Sequence, residues 1–406
     1  MTTATTSSAT TPGTTARRRP RGGWAAVLSV MAGIFAIVTT EILPIGLLSP
    51  IAADFGVSDG TAGLMMTTPA LLAAVSAPVV TLATARTDRR VLLCGLVALL
   101  AVADFLAAAA PVYWLVLVSR VLVGVTVGGF WSIGAGLAAR LVPARSAARA
   151  TAVIFAAVPL GSVLGVPVGT LIGDRAGWRT AFLVMGALSV AVLAALLYVL
   201  PPLPAVRTVR ADTLRALLGG GATRRVLVIT FLTVLAQFGA YTYVTPFLER
   251  VTDVGPGAVT ALLLLYGAAG IAGNFLGGAL VPRHPRAGFG GATALIGCAT
   301  LLLPLLGGST AGAVVLLLVW GIGYGAVPVA SQTWFVRSAP HESEAATVLF
   351  TSSFQATMSV GSLGGGLLVD RSSPSAVMAL GGAVAVLATL VIVSTGVRGA
   401  GAKRTR

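Results

Sequence analysis

Long apolar segments alternate with short polar ones along almost the whole chain. Each apolar segment is close to the length, about 20 residues, that lets a helix cross the hydrocarbon core of a bilayer. A helix is the expected form in lipid, because it satisfies its own backbone hydrogen bonds. The pattern predicts twelve transmembrane helices, near residues 24–48, 61–83, 91–110, 112–138, 149–173, 179–200, 226–248, 258–281, 288–306, 311–335, 344–369 and 375–396.

The composition supports a membrane protein rather than a soluble one. Of the 406 residues, 56% are hydrophobic and 10% are charged, whereas soluble domains average about 25% charged residues. The first 22 residues are rich in Thr, Ser and Ala and end in a cluster of arginines, and residues 397–406 are polar. We predict an all-α membrane protein with a disordered cytoplasmic tail at 1–22 and a short cytoplasmic tail at 397–406.

The net charge of +15 is compatible with a nucleic-acid partner, so the positions of the charges decide its meaning. If the N-terminus is cytoplasmic and the spans alternate, 22 of the 27 Lys and Arg residues fall in or beside cytoplasmic segments. This distribution follows the positive-inside rule. It accounts for the basic balance without nucleic acid, and it predicts a plasma-membrane protein with both termini in the cytoplasm.

The chain matches itself at an offset of 196–197 residues. The matched positions include polar loop residues as well as helix residues, namely Pro50 with Pro246, Arg90 with Arg286, Gly124 with Gly321, Arg140 with Arg337, and Pro143 with Pro340. The offset predicts two six-helix bundles, at 23–200 and 226–396, joined by a cytoplasmic linker at 201–225. Parallel halves that rock against each other around a central site are a recurring transporter architecture.

Three motifs carry a resemblance to a known family. They are residues 40–50 (TEILPIGLLSP) with 51–54 (IAAD), residues 120–124 (RVLVG) with 128–132 (GGFWS), and residues 161–169 (GSVLGVPVG) followed by 177–179 (GWR). Together they resemble the twelve-span drug:proton antiporters of the major facilitator superfamily, in the arabinose-efflux-permease-like branch. The resemblance covers about residues 24–396. It implies the major facilitator fold, and the third motif implies export, because it marks exporters within the superfamily.

Three ionisable residues lie inside predicted spans, where a charge is costly unless it is paired or hydrated: Glu41, Asp104 and Arg120. Glu41 and Arg120 are expected at the same depth, and in the resembled fold their spans line the central cavity. Burial favours the neutral form of a carboxyl group and a nearby guanidinium favours the charged form, so a changing distance would switch proton affinity. We predict that Glu41 carries the proton; the alternative is a static pair that fixes helix register. Asp104 either takes part in coupling or reaches water at the outer interface.

The repeat places Gln237 at the position equivalent to Glu41 and Leu317 at that of Arg120, so the second half has no deeply buried charge. A mostly apolar cavity with a few amides and aromatic rings suits an uncharged or weakly amphiphilic molecule. Packing, or a hydrogen bond between helices, is the alternative role of each such side chain. The candidate substrate-binding residues are Gln237, Tyr241, Trp320 and Gln355.

Two further groups are candidates for a conformational switch. The first is the glycine–proline motif of the fifth span, which allows either close helix packing or, from the family resemblance, movement between states: Gly161, Gly165, Pro167 and Gly169. The second lies in the loop 83–90, which keeps the family's charges and lacks its glycine. Its charges are either topological or form the cytoplasmic latch that the family has there: Asp88, Arg89 and Arg90.

The sequence therefore predicts a monomeric, proton-driven exporter of a small organic molecule, without a cofactor. The resemblance implies drugs, sugars or nucleosides as substrates, and residues 130–132 (FWS) favour the sugar and nucleoside exporters. Proton-coupled uptake by the same fold is an alternative, which the fifth-span motif opposes. A membrane enzyme or receptor is a further alternative, but the sequence has neither a Gly-x4-Gly-Lys-Ser/Thr phosphate loop nor a His-Glu-x2-His motif.

The cysteines and histidines add little chemistry. Cys94 and Cys298 lie far apart in apolar spans, which predicts two packed, reduced thiols rather than a disulfide. His284 and His341 fall in predicted cytoplasmic loops and indicate no metal site.

Overall fold

A computed structural model describes residues 23–401, except 85, 132–136, 205–220, 282–283 and 339–342. All regular structure in this part of the chain is helical. The first half contains α1 (Gly23–Ile42), α2 (Leu48–Phe55), α3 (Asp59–Ala62), α4 (Leu64–Ala83), α5 (Arg89–Ala108), α6 (Tyr113–Trp131), α7 (Ala138–Leu141), α8 (Ala144–Phe155), α9 (Ala157–Ala176) and α10 (Trp178–Val199).

The second half is built in the same way. It contains α11 (Gly221–Tyr241), α12 (Val244–Arg250), α13 (Pro256–Leu280), α14 (Pro285–Leu306), α15 (Thr310–Ser338), α16 (Ser343–Arg371) and α17 (Pro374–Gly401). The predicted tail at 1–22 and most of the predicted linker lie outside the described residues. The last helix runs to Gly401, so helix covers the beginning of the predicted tail at 397–406.

The predicted membrane crossings match these helices. Within the described part of the chain, ten helices are long and apolar enough to cross a bilayer. They account for every predicted span except the fifth and the eleventh, which correspond to α8 with α9 and to α16. The prediction of an all-α protein with twelve crossings in two six-helix bundles is confirmed.

The first and seventh spans are both interrupted at equivalent places. The first is divided into α1, a 3-10 turn at Leu43–Ile45 and α2. Pro44 lies in that turn, and because proline lacks an N–H and collides with the carbonyl four residues earlier, it favours a kink or a break in the helix here. The seventh span is divided into α11 and α12 around residues 242–243. The shared interruption is the structural counterpart of the sequence repeat.

The most extensive packing across the boundary between the halves is that of α4 with α16 and of α9 with α13. The contact of α9 with α13 is close: a Cβ atom on Gly267 would lie 2.9 Å from the Cα atom of Val163. The positions of the thiols differ from the prediction in one respect. Both cysteines are free and Cys94 is buried, but Cys298 is exposed on the uncovered face of α14 rather than packed.

Candidate proton and substrate site

Arg120, on α6, is fully buried and is held by backbone oxygens of two neighbouring spans. Its Nη2 donates to the carbonyl oxygens of Thr40, at 2.8 Å, and of Glu41, at 2.9 Å. Its Nε donates to the carbonyl oxygen of Met65, at 3.2 Å. These charge-assisted bonds offset part of the cost of placing a guanidinium in an apolar interior.

Prolines explain why these carbonyls are available. In a regular helix, the carbonyl of Thr40 would accept from the N–H of residue 44, and the carbonyl of Met65 from that of residue 69. Residues 44 and 69 are both prolines, Pro44 in the 3-10 turn and Pro69 inside α4, and neither has an N–H to donate. Arg120 therefore binds two carbonyl oxygens that proline has left without their helical donor.

Asp104, on α5, lies in the interior of the first half and is 1% exposed. Its Oδ2 accepts from the hydroxyl groups of Thr40, at 3.2 Å, and Ser189, at 3.4 Å. Asp104 and Arg120 attract each other electrostatically, but no hydrogen bond or ion pair joins these two described side chains. The alternative in which Asp104 reaches interfacial water is therefore wrong, because the side chain points towards α1 and α10.

Thr40 joins this group together, with its carbonyl on Arg120 and its hydroxyl on Asp104. Two buried atoms of the cluster, Oδ1 of Asp104 and Nη1 of Arg120, have no hydrogen-bond partner among the described residues. The first half thus contains a polar network around Arg120 in which two buried atoms lack a hydrogen-bond partner among the described residues.

Glu41, at the end of α1, points away from this network. Its Oε1 accepts from Nε2 of Gln355, at 2.7 Å, and Gln355 lies on α16 in the second half. The predicted Glu41–Arg120 pair therefore needs correction: Arg120 binds the backbone carbonyl of Glu41, and no ion pair joins the two side chains. The reason is that Pro44 ends the helix here and frees the carbonyl, while the carboxyl group faces the other half.

The second half has a neutral cluster at the equivalent position. Gln237 donates from Nε2 to the hydroxyl of Tyr266, at 2.9 Å, and its Oε1 accepts from Nε1 of Trp320, at 2.7 Å. Tyr241 stacks on Tyr266 with ring centroids 4.6 Å apart, and Trp320 meets both rings edge-on. Three of the predicted substrate residues thus lie in one buried group, in which the Gln237 amide bonds to both Tyr266 and Trp320. The fourth, Gln355, lies with Glu41.

Three aromatic residues that the sequence analysis did not single out lie next to these polar groups. The ring of Phe238, on α11, meets Tyr324 at 5.9 Å and Phe354 at 6.1 Å, both edge-on. Tyr324 interacts electrostatically with Glu41, and Phe354 immediately precedes Gln355. Tyr324 and Phe354 are only half-buried, so their rings offer apolar surface beside the carboxyl group.

The comparisons with known proteins agree with this architecture. The sequence profile described as Major Facilitator Superfamily matches residues 28–361. The chain belongs to the major facilitator superfamily. It is 34% identical over 390 residues to the transcription regulatory protein OpdE of Pseudomonas aeruginosa, covering 94% of this chain and 96% of that protein. It is 31% identical over 373 residues to the purine ribonucleoside efflux pump NepI of Escherichia coli, covering 92% and 94%.

Solved structures of major facilitator proteins share the fold. A bacterial homologue of the human lysosomal transporter Spinster, crystallised inward-facing and unoccupied, has a TM-score of 0.65 at 18% identity, over 93% of this chain and 95% of that one. The human organic anion transporter MFSD10 has a TM-score of 0.66 at 18% identity, over 92% and 99%. The family resemblance inferred from the motifs is confirmed, and the chain is a multi-pass membrane transporter rather than an enzyme.

In this member of the superfamily, the glycines of the fifth-span motif pack against the first span. A Cβ atom on Gly161 would lie 3.0 Å from Val38, and one on Gly165 would lie 3.0 Å from Thr39. Gly169 is in contact with Leu43 in the same way, and Pro167 is buried inside α9. The motif therefore holds α9 against the part of α1 that carries Thr40 and Glu41.

The charged residues of the loop 83–90 form hydrogen bonds with neighbouring segments. Asp88 caps α5 by accepting from the N–H of Arg90, at 2.8 Å, and also accepts from the N–H of Leu203, at 3.0 Å. Arg89 donates to the carbonyl oxygen of Thr84, at 3.2 Å, and Arg90 to that of Leu197. A latch from Asp88 or Arg90 to the second half is thus not formed in this conformation.

Polar contacts between the halves are found instead at the predicted outer end. Asp370, at the end of α16, accepts from the hydroxyl of Ser58, at 2.7 Å, and from the N–H of Gly60, at 2.9 Å. Asp59 forms an ion pair with Arg250, at 2.6 Å. We call these residues the outer clasp. Because they join the start of α3 to α12 and α16, they close the predicted outer end of the bundle.

Proposed function

We propose that this transporter exports a small uncharged molecule of the purine-nucleoside type in exchange for protons, by alternating access. Its termini lie in the cytoplasm of the cell whose plasma membrane it spans, and one chain forms the transport unit. Glu41 carries the proton, and amide and aromatic side chains of the second half bind the substrate. The observation that supports this most strongly is the Glu41–Gln355 hydrogen bond, because it places one carboxyl group at the boundary of the halves.

The charges favour Glu41 over Asp104 as the carrier. Arg120 supplies one positive charge for two carboxyl groups, so an electrically neutral interior contains one carboxylate and one carboxylic acid. Asp104 is enclosed by α1, α5 and α10 within the first half, where relative movement of the halves does not change its surroundings. Glu41 meets the second half directly. Rocking of the bundles would therefore alter the surroundings of Glu41 and leave Asp104 as the fixed counter-ion of Arg120.

The second half supports a flat, polar-edged substrate. A nucleobase stacks on aromatic rings, an interaction worth about 1–3 kcal/mol per base, and Gln side chains pair with the donor and acceptor edge of a purine. Phe238, Tyr324 and Phe354 supply rings, and Gln237 and Gln355 supply amides. The relative named as a purine ribonucleoside efflux pump supports the same substrate class.

The conformational cycle requires the outer clasp to open. In the described conformation Asp370 and Arg250 join the halves at the predicted outer end. The glycine motif of α9 keeps the fifth span against α1, so these two spans move together as the site turns outward. Asp88, Arg89 and Arg90 hold the predicted cytoplasmic end of the first half together, and we expect them to engage the second half when that end closes.

The test uses inverted membrane vesicles with an imposed pH gradient, acid inside, and inosine as the probe. The proposal predicts that inosine dissipates the gradient in vesicles with the native protein and not in vesicles with Glu41→Gln, which keeps a hydrogen-bonding partner for Gln355. Glu249→Gln is the matched control: burial raises the pKa of Glu249, but this residue lies outside the spans, at the predicted outer end.

Two results would contradict the proposal. Dissipation that persists in Glu41→Gln would remove Glu41 as the carrier. Inosine that leaves the vesicles together with protons, down the imposed gradient, would indicate uptake by symport instead of export.

A further inference from the structure

A second polar site lies far from Glu41, at the predicted cytoplasmic end of the first half. A cavity of about 510 Å³ is lined by Trp24, Arg145, Ser146 and Arg149. Trp24 is the second residue of α1, and the other three lie on the first turns of α8. Neither the proton network nor the substrate residues of the second half extend to this place.

The cavity is lined by hydrogen-bond donors without matching acceptors. Two guanidinium groups, an indole N–H and a serine hydroxyl surround it, and no carboxyl group is among the lining residues that the structure describes. None of the four side chains forms a hydrogen bond or an ion pair within the described part of the chain. The one contact among them is between Arg149 and Trp24, with the guanidinium carbon 5.6 Å from the ring centroid. Such a set of donors is complementary to an anion with several oxygen atoms.

The backbone holds these side chains in a fixed arrangement. A Cβ atom on Gly23 would lie 2.6 Å from the carbonyl oxygen of Leu141, so α1 begins in close contact with the segment that leads into α8. Arg145 and Arg149 are four residues apart on α8 and therefore share one face of the helix. The two guanidinium groups and Trp24 thus face the same space.

The surroundings indicate that the anion belongs to a lipid. Trp24 is 41% exposed and Leu28, one turn further along α1, is 55% exposed, so an apolar strip leads from the cavity along the outer surface of the bundle. Tryptophan is enriched where hydrocarbon meets headgroups, and basic pockets between spans on the cytoplasmic side bind anionic headgroups. The cavity is also far larger than a single phosphate ion requires, since one water occupies about 30 Å³ in the liquid.

We propose that this cavity binds the phosphate-bearing headgroup of an acidic phospholipid of the cytoplasmic leaflet. Arg145 and Arg149 hold the phosphate, Ser146 and the indole N–H of Trp24 donate to its remaining oxygens, and the acyl chains lie along Leu28. The lipid would join α1 to α8. The helix that follows α8 is α9, which packs against α1 through its glycines.

The experiment measures lipid binding to the purified full-length protein by native mass spectrometry, with phosphatidylglycerol and phosphatidylcholine titrated separately. We expect preferential binding of phosphatidylglycerol. Arg145→Gln with Arg149→Gln should weaken it roughly thirtyfold, since each arginine near a membrane surface contributes a factor of about five. Arg149→Lys, which keeps the charge and loses the planar fork, should have intermediate affinity.

The matched control is Arg224→Gln with Arg225→Gln, two exposed arginines at the same predicted end of the second half, outside the cavity. This pair should retain phosphatidylglycerol binding within about twofold, as a charge change outside the site leaves its contacts intact. Equal loss in both double variants would overturn the proposal in favour of diffuse surface charge. Full displacement of phosphatidylglycerol by inorganic phosphate or glycerol phosphate would overturn the lipid assignment in favour of a soluble anion.

Discussion

The two halves of the bundle solve the problem of a polar centre in an apolar interior in different ways. At repeat-equivalent positions the first half has Glu41 and Arg120, and the second has Gln237 and Leu317. The first half holds its cation with backbone carbonyls, and Oδ1 of Asp104 and Nη1 of Arg120 have no hydrogen-bond partner among the described residues. In the second half, the Gln237 amide is paired with neighbouring side chains on both sides.

This difference suggests that proton coupling belongs to the first half and substrate binding to the second. Buried charges are costly and respond strongly to a change of surroundings, which makes them suitable for coupling proton movement to conformation. A neutral cluster costs little, and the half-buried rings of Tyr324 and Phe354 next to it offer apolar surface that suits a substrate. The Glu41–Gln355 hydrogen bond is the place where the two kinds of centre meet.

Removal of the cation should have the largest effect. Arg120→Leu copies the residue of the second half, but it leaves Asp104 without a counter-ion and two proline-freed carbonyls without a donor. We expect the free energy of unfolding to fall by about 3–5 kcal/mol and transport activity to be lost. Thermal unfolding of the purified protein in detergent measures it. Arg225→Leu, an exposed arginine, is the control, and a change of equal size there would contradict the account.

The double variant Arg120→Leu with Asp104→Leu sharpens the comparison. Because the double variant leaves neither buried charge without its opposite charge, stability should recover most of what the single variant loses, while transport stays absent. A double variant as unstable as Arg120→Leu alone would mean that Asp104 is not the counter-ion of Arg120.

The prolines should have a smaller, differential effect. Pro69→Ala restores an N–H that competes with Arg120 for the carbonyl of Met65, so the gain in helix propensity is offset by a weakened charge-assisted bond. Pro78→Ala, in the same helix, also restores an N–H, but there it does not compete with a bond from Arg120. We expect Pro78→Ala to be more stable than Pro69→Ala by about 1.5–3 kcal/mol in thermal unfolding. Equal stabilisation by both would show that the bond to Met65 contributes nothing.

The smallest effect is expected in the neutral cluster. Gln237→Leu removes the amide between Tyr266 and Trp320, which should weaken substrate binding about tenfold, near 1.4 kcal/mol, without changing the number of protons moved per substrate. Equilibrium binding of labelled inosine and flux ratios in vesicles measure the two quantities. If Gln237→Leu altered the proton-to-substrate ratio, the division of labour between the halves would be wrong.

Much of the architecture could be predicted from the sequence, because span length, charge bias and the internal offset each leave a direct record in it. The equivalence of Glu41 and Gln237 was readable in the same way. The structure also brings Gln237 and Trp320 into contact, although their part in substrate binding stays a prediction.

The partners of the embedded charges could not be predicted, since they depend on helix rotation. Nothing in the spacing tells whether Asp104 points outward or towards α1, or that Gln355 reaches Glu41 across 314 positions of sequence. One signal was available and unused: Pro44 and Pro69 each follow by four residues a carbonyl that must find another donor. The half-buried rings of Tyr324 and Phe354 were missed because aromatic residues in apolar spans have no distinctive spacing.

The central claim is that Glu41 gains and loses the proton while Asp104 remains the fixed counter-ion of Arg120. Infrared difference spectroscopy of the protein in lipid films, between acidic and alkaline buffer, tests it without a substrate. The account predicts a carboxylic-acid C=O band that disappears in Glu41→Gln and is retained in Glu249→Gln. A band that persists in Glu41→Gln and disappears in Asp104→Asn would contradict it.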